Sequence, residues 1–318
     1  MPTNGQHSPL QISPAPKLKE GQATLITLGN FDGVHLGHQK MLSLAAEQAQ
    51  KQSYAMVVLG FDPHPRFFLG QNKVALLSSN LQRKKWIEAL YPRAQFSVIH
   101  FTRQFSQLTA RAFLTLLQTH CNMKHLVVGA TTHIGKDRIG TPSRLKQLAQ
   151  EMNFELTIVE PRTSGQHVIS STYIRSCVQE GRMLEARNAL GRWHETRGVV
   201  VQGRGIGRTM GYPTANIGFS DQQLLPKPGV YAAWVEIRDQ MHPAAVHWGP
   251  RPTVHPDEPE NHLEVHLLDA SLDLYGAETK IMWVDRIREH KRFENVEKLR
   301  SQISIDVEKI QTLLKKYK

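Results

Sequence analysis

The sequence has 318 residues, of which 40% are hydrophobic and 21% charged, and it carries a net charge of +11 and only two cysteines. The length suits about two ordinary domains. No apolar run approaches the roughly 20 residues that cross a bilayer, and Cys121 and Cys177 are too few for a disulfide-stapled secreted scaffold. The two could pair, but a reducing compartment, the cytoplasm, is the simpler reading. Residues 1–186 hold 20 basic and 11 acidic side chains (+9), and residues 187–318 hold 19 and 17 (+2). The basic residues are scattered, which ranks small phosphorylated ligands ahead of nucleic acid.

Residues 1–22 are polar and proline-rich, lack the basic start and apolar core of a signal peptide, and predict a disordered tail. Apolar β-rich runs then occur at 24–28, 55–61, 96–101, 125–129 and 156–160. Helical patterns lie between them. One runs from Leu36 to Lys51 with Met41, Leu44, Ala45 and Ala49 on one face, and one from Asn80 to Leu90. A third starts at Thr109, and a fourth opens with the cap-and-proline pair Thr141-Pro142. Strands alternating with helices predict a Rossmann-like parallel sheet covered on both faces. Ligands of such sheets bind beyond the carboxyl ends of the strands. Two further helices are predicted at Ser170–Gly181 and Met183–Leu190. Short β segments follow at 198–202, 229–237, 244–248, 262–268 and 280–284, punctuated by Gly and Pro. They predict a small antiparallel barrel or sandwich. A closing helix carries Val296, Leu299, Ile303, Val307, Ile310 and Leu314 at helical spacing. The domain boundary is expected at 186/187.

Chemistry-bearing residues concentrate in two places. The turn after the first strand reads Gly29-Asn30-Phe31-Asp32-Gly33-Val34-His35-Leu36-Gly37-His38. Three residues apart at a helix start, His35 and His38 share a face. A helix N-terminus offers amides and positive potential, so a polyphosphate is a natural guest, and Gly37 lets it approach closely. Imidazoles there can stabilise charge as pyrophosphate leaves. An isolated H-x-G-H would read as two surface histidines at a helix cap; its place after the first strand of an α/β unit favours the functional reading. At 169–175, Ile-Ser-Ser-Thr-Tyr-Ile-Arg sets consecutive hydroxyls at a helix start with an arginine one turn in. That suits either a cap or a phosphate contact.

The second place is 203–217, G-R-G-I-G-R-T-M-G-Y-P-T-A-N-I. Its glycines and arginines make a basic loop whose amides can wrap phosphates, without the G-K-S/T ending of a Walker loop. Thr214 and Asn216 lie on one side of an extended chain. Their neutral oxygens suit a Mg²⁺ that is shared with ATP phosphates. Glu264, taken alone, reads as an outward-facing strand carboxylate in an ion pair.

The G-N-F-D-G-V-H-x-G-H turn, F-D-P-H-P at 61–65 and I-S-S-T-x-I-R at 169–175 together resemble the adenylyltransferase half of the bacterial bifunctional riboflavin kinase/FAD synthetase family. Residues 203–217 resemble the kinase signature of the same family, G-x-x-x-G-R-x-x-G-F/Y-P-T-A-N. Gly229-Val230-Tyr231-Ala232, Arg251-Pro252-Thr253, residues 263–268 and Leu274-Tyr275-Gly276 match in order, so the resemblance spans about residues 23 to 314. It implies a nucleotidyltransferase domain at 23–186 and a riboflavin kinase domain at 187–318, built as a closed six-stranded barrel.

By this resemblance the kinase phosphorylates riboflavin to FMN with ATP and Mg²⁺. Glu264 is its general base, Thr214 and Asn216 hold the metal, and Gly203, Gly207, Arg208 and Gly211 wrap the phosphates. Arg251 contacts the flavin. The other domain adenylylates FMN to FAD. There His35 and His38 are catalytic, while Gly29, Asn30, Gly37, Ser171, Thr172 and Arg175 bind ATP. Pro63, His64 and Thr131 lie on the flavin side. Two stretches depart from the family pattern. Thr131 and Thr132 stand where an acid or amide and an aromatic are usual, and His247-Trp248-Gly249 stands for N-I-G. The alternatives are a monofunctional riboflavin kinase with a degenerate adenylyltransferase domain, and a non-catalytic flavin- or RNA-binding regulator. The expected partners are riboflavin, FMN and ATP, with no nucleic acid and no membrane; an oligomer is compatible with the sequence.

Overall fold

A computed structural model describes residues 9–68, 75–202, 211–250, 261–268, 270 and 274–317. The chain forms two compact units, residues 1–170 and 171–318.

The first unit contains β1 (Ile12–Ser13), β2 (Thr24–Leu28), α1 (Leu36–Lys51), β3 (Ala55–Asp62), α2 (Pro65–Phe68), α3 (Asn80–Leu90) and β4 (Ala94–His100). It continues with α4 (Arg103–Ser106), α5 (Ala110–Cys121), β5 (Met123–Gly129), α6 (Pro142–Glu151) and β6 (Glu155–Val159). A hairpin of β7 (Thr163–Ser164) and β8 (His167–Val168) closes it. The main sheet runs β1-β4-β3-β2-β5-β6, parallel except for β1. The chain moves outward from β2 through β3 to β4, then returns to β5 on the other side, so β2 and β5 flank the switch point of the topology.

Alternation along the strands feeds two cores. Leu25, Met56, Val58 and Val127 face Leu42, Ala45 and Ile87 on one side. Ile26, Leu28, Val57, Leu59 and Val128 face Phe113, Leu117 and Leu145 on the other. Helix starts follow the capping residues: Ser79 forms a capping box with Gln82, Thr109 caps α5, and Thr141 caps α6 ahead of its proline.

Residues 9–22 correct the expectation of a disordered tail. Ile12 and Ser13 pair with Ile99 and Val98, Lys17 exchanges hydrogen bonds with the Gln95 side chain, and Leu10 is buried in the core. The segment is polar on average, but Leu10, Ile12 and Leu18 suffice to hold it on the sheet edge.

The second unit opens with α7 (Ser171–Glu180) and α8 (Met183–Leu190). It continues with β9 (His194–Val201), β10 (Ala215–Phe219), β11 (Gly229–Ile237), β12 (Gln240–Pro250), β13 (Asn261–Leu267), β14 (Glu278–Arg288) and α9 (Val296–Lys315). The six strands close into an antiparallel barrel in the order β10-β13-β12-β11-β14-β9. Inside, Trp283 donates its indole N–H to Thr196 at 2.9 Å and meets Tyr231 edge-on at 5.1 Å. β11 and β12 join through Arg238-Asp239, both at left-handed φ, as a two-residue turn of this hand requires. α9 covers Val230, Ala232 and Val284 with Ile310 and Leu314, and Asp306 accepts from Arg288 at 2.7 Å. The predicted apolar stripe of this helix is buried only in its C-terminal half; Val296 is exposed.

β10 lies within no β segment expected from composition, because Asn216 and Gly218 dilute its pattern. α7 and α8 pack together, and α8 packs on β9 and β14, so both helices belong to the second compact unit. The sequence-based boundary at 186/187 falls inside α8.

Candidate functional site

In the first unit the candidate residues gather at the carboxyl ends of β2, β3 and β5. The turn after β2 is held in an unusual shape: Phe31 (φ 47°) and Val34 (φ 38°) are left-handed, and both are fully buried. Such backbone costs about 1–3 kcal/mol per residue and persists only where its surroundings over-determine it. Here the surroundings are a buried ionic network. Asp32, with no exposed surface, accepts from the amides of Leu77 (3.1 Å) and Ser78 (2.9 Å) and from an Arg83 Nη at 3.0 Å. Arg83 also bonds the Ser78 hydroxyl and carbonyl, and the Gly33 amide donates to that hydroxyl at 2.8 Å. Asp32, Ser78 and Arg83 were absent from the candidate residues. Asp32 joins Ser78 and Arg83 across 46 and 51 positions, so no local pattern marks the group.

The turn delivers the histidines. His35 is the N-cap of α1, and its Nδ1 accepts from the His38 amide at 3.2 Å. That acceptor role leaves Nε2 as the donor nitrogen of the ring. The His35 and His38 rings stack with centroids 3.6 Å apart and planes 17° apart, and Phe31 tilts against His38 at 5.3 Å. A Cβ at Gly37 would come within 3.1 Å of the His35 ring and 3.3 Å of the Ile169 carbonyl. Packing within the chain therefore already asks for glycine there. Gly29 donates to the Leu59 carbonyl at 3.1 Å. The Asn30 side-chain oxygen is buried and accepts no hydrogen bond from any described residue, a costly state that a ligand donor would relieve.

Pro63 and His64 follow β3, the neighbour of β2 in the sheet. His64 is buried, and its Nδ1 accepts from the Arg66 amide at 3.2 Å. Thr131 is exposed on the turn after β5, where the Thr132 amide returns to Gly129 at 2.9 Å. The loop beyond it is pinned by the Ile134–Gly140 bridge. Gly135 (φ 80°) could not carry a Cβ, which would lie 2.4 Å from the Ala110 amide nitrogen. Ser171, Thr172 and Arg175 stand in the first turns of α7, in the second unit.

In the second unit, register assembles the site. Asn216 on β10 pairs with Glu264 on β13, and Glu264 pairs with His247 on β12. Leu263, Val265 and Leu267 point into the barrel, which puts Glu264 on the outer face. Thr214 precedes β10, two residues from Asn216 on the chain. His266 fixes this approach: its Nδ1 lies 2.8 Å from the Pro213 carbonyl, and its ring meets Tyr212 edge-on at 5.5 Å. Gly211 is left-handed (φ 84°). Gly203, Gly207, Arg208 and Arg251 lie outside the described residues.

Among the described residues no group of three or more His, Cys, Asp or Glu is placed to hold a metal. Thr214 and Asn216 offer two neutral oxygens. Such a pair fits a hard cation that brings most of its coordination from water and substrate phosphate. No helix among the described residues is long and apolar enough to cross a membrane.

Comparison with known proteins follows the same two-part division. Residues 17–173 match the family described as FAD synthetase, and residues 190–314 match the family described as riboflavin kinase. The chain is 34% identical to the bifunctional riboflavin kinase/FMN adenylyltransferase of Bacillus subtilis over 91% of its length and 92% of that protein. It is 33% identical to the protein of the same name from Escherichia coli over 93% of each. Among solved structures it resembles the crystal structure of a macrolide-efflux protein from Streptococcus pneumoniae, with a TM-score of 0.83 and 32% identity. That match covers 92% of this chain and 94% of the other.

Proposed function

The chain belongs to the bifunctional riboflavin kinase/FMN adenylyltransferase family, and we propose from its residues how it carries out both reactions. It phosphorylates riboflavin to FMN and adenylylates FMN to FAD, using ATP in each step. The observation that carries the kinase assignment is the cross-strand pairing of Asn216 with Glu264, with Thr214 just ahead of it on the chain. Register thus sets a carboxylate beside Asn216, one of the two residues that would hold a metal on ATP.

In the kinase, the riboflavin 5′-hydroxyl attacks the γ-phosphorus of ATP. The O–P bond forms, the bond to the ADP oxygen breaks, and Glu264 takes the hydroxyl proton. Thr214 and Asn216 would hold Mg²⁺, which on binding with ATP supplies positive charge against the phosphates. In the first unit an FMN phosphate oxygen attacks the α-phosphorus of ATP and pyrophosphate leaves. No protein nucleophile is needed; position and charge do the work. His35, with its Nε2–H, and the stacked His38 meet the phosphates at the N-terminus of α1. Asn30 has a buried acceptor ready for a ligand donor. Pro63, His64 and Thr131, at the ends of the flanking strands, line the flavin side. For Ser171, Thr172 and Arg175, at the start of α7, the family resemblance implies ATP binding. Two free, buried cysteines support a reducing, cytoplasmic location.

The test is chromatography of products after incubation with riboflavin, ATP and Mg²⁺, read separately for FMN and FAD. Both products are expected. Glu264→Gln should lower the FMN rate by about 10²–10⁴, the usual loss of a general base, with the fold and ATP binding retained. Near-normal FMN formation by that variant would overturn the assignment of the base, and absence of both products from the wild-type chain would overturn the reading as a whole.

A further inference from the structure

Three neighbouring strands place His247, Glu264 and Asn216 in one row on the outer face of the barrel: His247 pairs with Glu264, and Glu264 with Asn216. Directly paired residues of antiparallel strands share a face, with Cβ atoms about 4.5–5.5 Å apart. His247 is therefore as close a neighbour of Glu264 as Asn216 is, on the opposite side. Its ring is also anchored. Nε2 lies 3.2 Å from Nδ1 of His290, in the segment after β14, with centroids 5.5 Å apart.

The direction of that bond matters. Burial, with Arg288 and Arg292 nearby, pushes His290 below the usual histidine range, so its ring is neutral near pH 7. If His290 donates from Nδ1, His247 accepts at Nε2 and carries its own proton on Nδ1. If the bond ran the other way, His247 Nδ1 would be an acceptor and could give nothing to a carboxylate. A carboxylate next in the row selects the first arrangement.

We propose that His247 is a positioning residue for the kinase step: anchored by His290, it donates Nδ1–H to Glu264 and fixes the orientation of that carboxylate. The inference rests on Glu264 being the base. A merely structural pair of histidines would affect stability and leave the turnover of folded enzyme alone.

Steady-state FMN formation by the full chain separates the two. His247→Leu should lower kcat about tenfold to a hundredfold with little change in KM for riboflavin or ATP, the scale of one lost hydrogen bond to an ionised group. His247→Asn keeps an N–H donor and should recover most of the rate, and His290→Leu, which removes only the anchor, should lose less. Added to Glu264→Gln, His247→Leu should cost nothing further. Unchanged kcat in folded His247→Leu would overturn the proposal, as would a loss that persists undiminished in the Glu264→Gln background. If His247→Leu does not fold, His290→Leu, outside the strands, carries the same two readings. A near-normal Glu264→Gln enzyme would remove the base assignment and this inference with it; an inactive Glu264→Gln beside a normal His247→Leu would remove this inference alone.

Discussion

The two candidate sites are held in place by different means. The β2–α1 turn is irregular backbone, with two buried left-handed residues, and it keeps its shape because Asp32, Ser78 and Arg83 clamp it from beneath. The barrel row needs no clamp. Regular pairing of β10, β13 and β12 sets Asn216, Glu264 and His247 side by side. A site of the first kind can be broken by a side chain that touches no substrate. A site of the second kind is broken mainly through its own residues, since moving it means moving the barrel.

The largest contrast should come from the clamp. Asp32→Ala leaves the Arg83 guanidinium, 2% exposed, without its carboxylate. Breaking a buried pair on one side costs about 3–5 kcal/mol. FAD formation should collapse and the first unit should unfold at lower urea. FMN formation should stay near wild type, because no residue of the kinase row lies in that unit. Parallel loss of both products would show that the two sites are not independent.

The next test moves the boundary. A fragment of residues 171–318 retains α7 and α8, whereas 187–318 cuts through α8 and discards Met183 and Ala186, both buried. Emptying a buried methionine site alone costs about 2–5 kcal/mol. The longer fragment should fold and phosphorylate riboflavin. The shorter one should melt earlier by circular dichroism or fail to stay soluble. Identical melting of the two would mean that α8 adds nothing to the barrel.

The different means of support also explain what could be read from the sequence. β2, α1, β11 and the Thr141-Pro142 helix start were legible because their signals are local: periodicity, caps and β-branched runs. The H-x-G-H pair was legible as a shared helix face, and it proved to be a stacked pair. The Asp32–Arg83 clamp spans 51 residues and has no local signal. The pairing of β1 with β4 is hidden in a polar segment whose Leu10, Ile12 and Leu18 are easily averaged away. Thr214 and Asn216 read as extended chain after a glycine-rich loop, and the strand character of β10 comes from neighbours far along the chain. Asn216 and Glu264 were each named, yet their adjacency is a register fact that only the closed barrel supplies.

The smallest expected effect sharpens the comparison at the first site. Thr131 is exposed on the turn after β5, one of the two strands that flank the switch point. Its hydroxyl is short, and Asn would extend a donor and an acceptor from the same place. If this turn borders the flavin, Thr131→Asn should add one hydrogen bond. At about 0.5–1.5 kcal/mol that amounts to a rise of roughly twofold to tenfold in kcat/KM for FMN in the adenylylation step. An exposed substitution should change stability by less than about 0.5 kcal/mol, so melting should stay put, and FMN formation by the barrel should not move. The measurement is FAD formation against FMN concentration at saturating ATP. A rise confined to FMN affinity places the β5 turn at the flavin. An unchanged curve would remove Thr131 from the site and leave the flavin to the β3 end, where His64 is already buried against the chain. The kinase row provides the internal control: it is built by register in another unit, so any change in FMN output would mean that the substitution acts through something other than a flavin contact at the β5 turn.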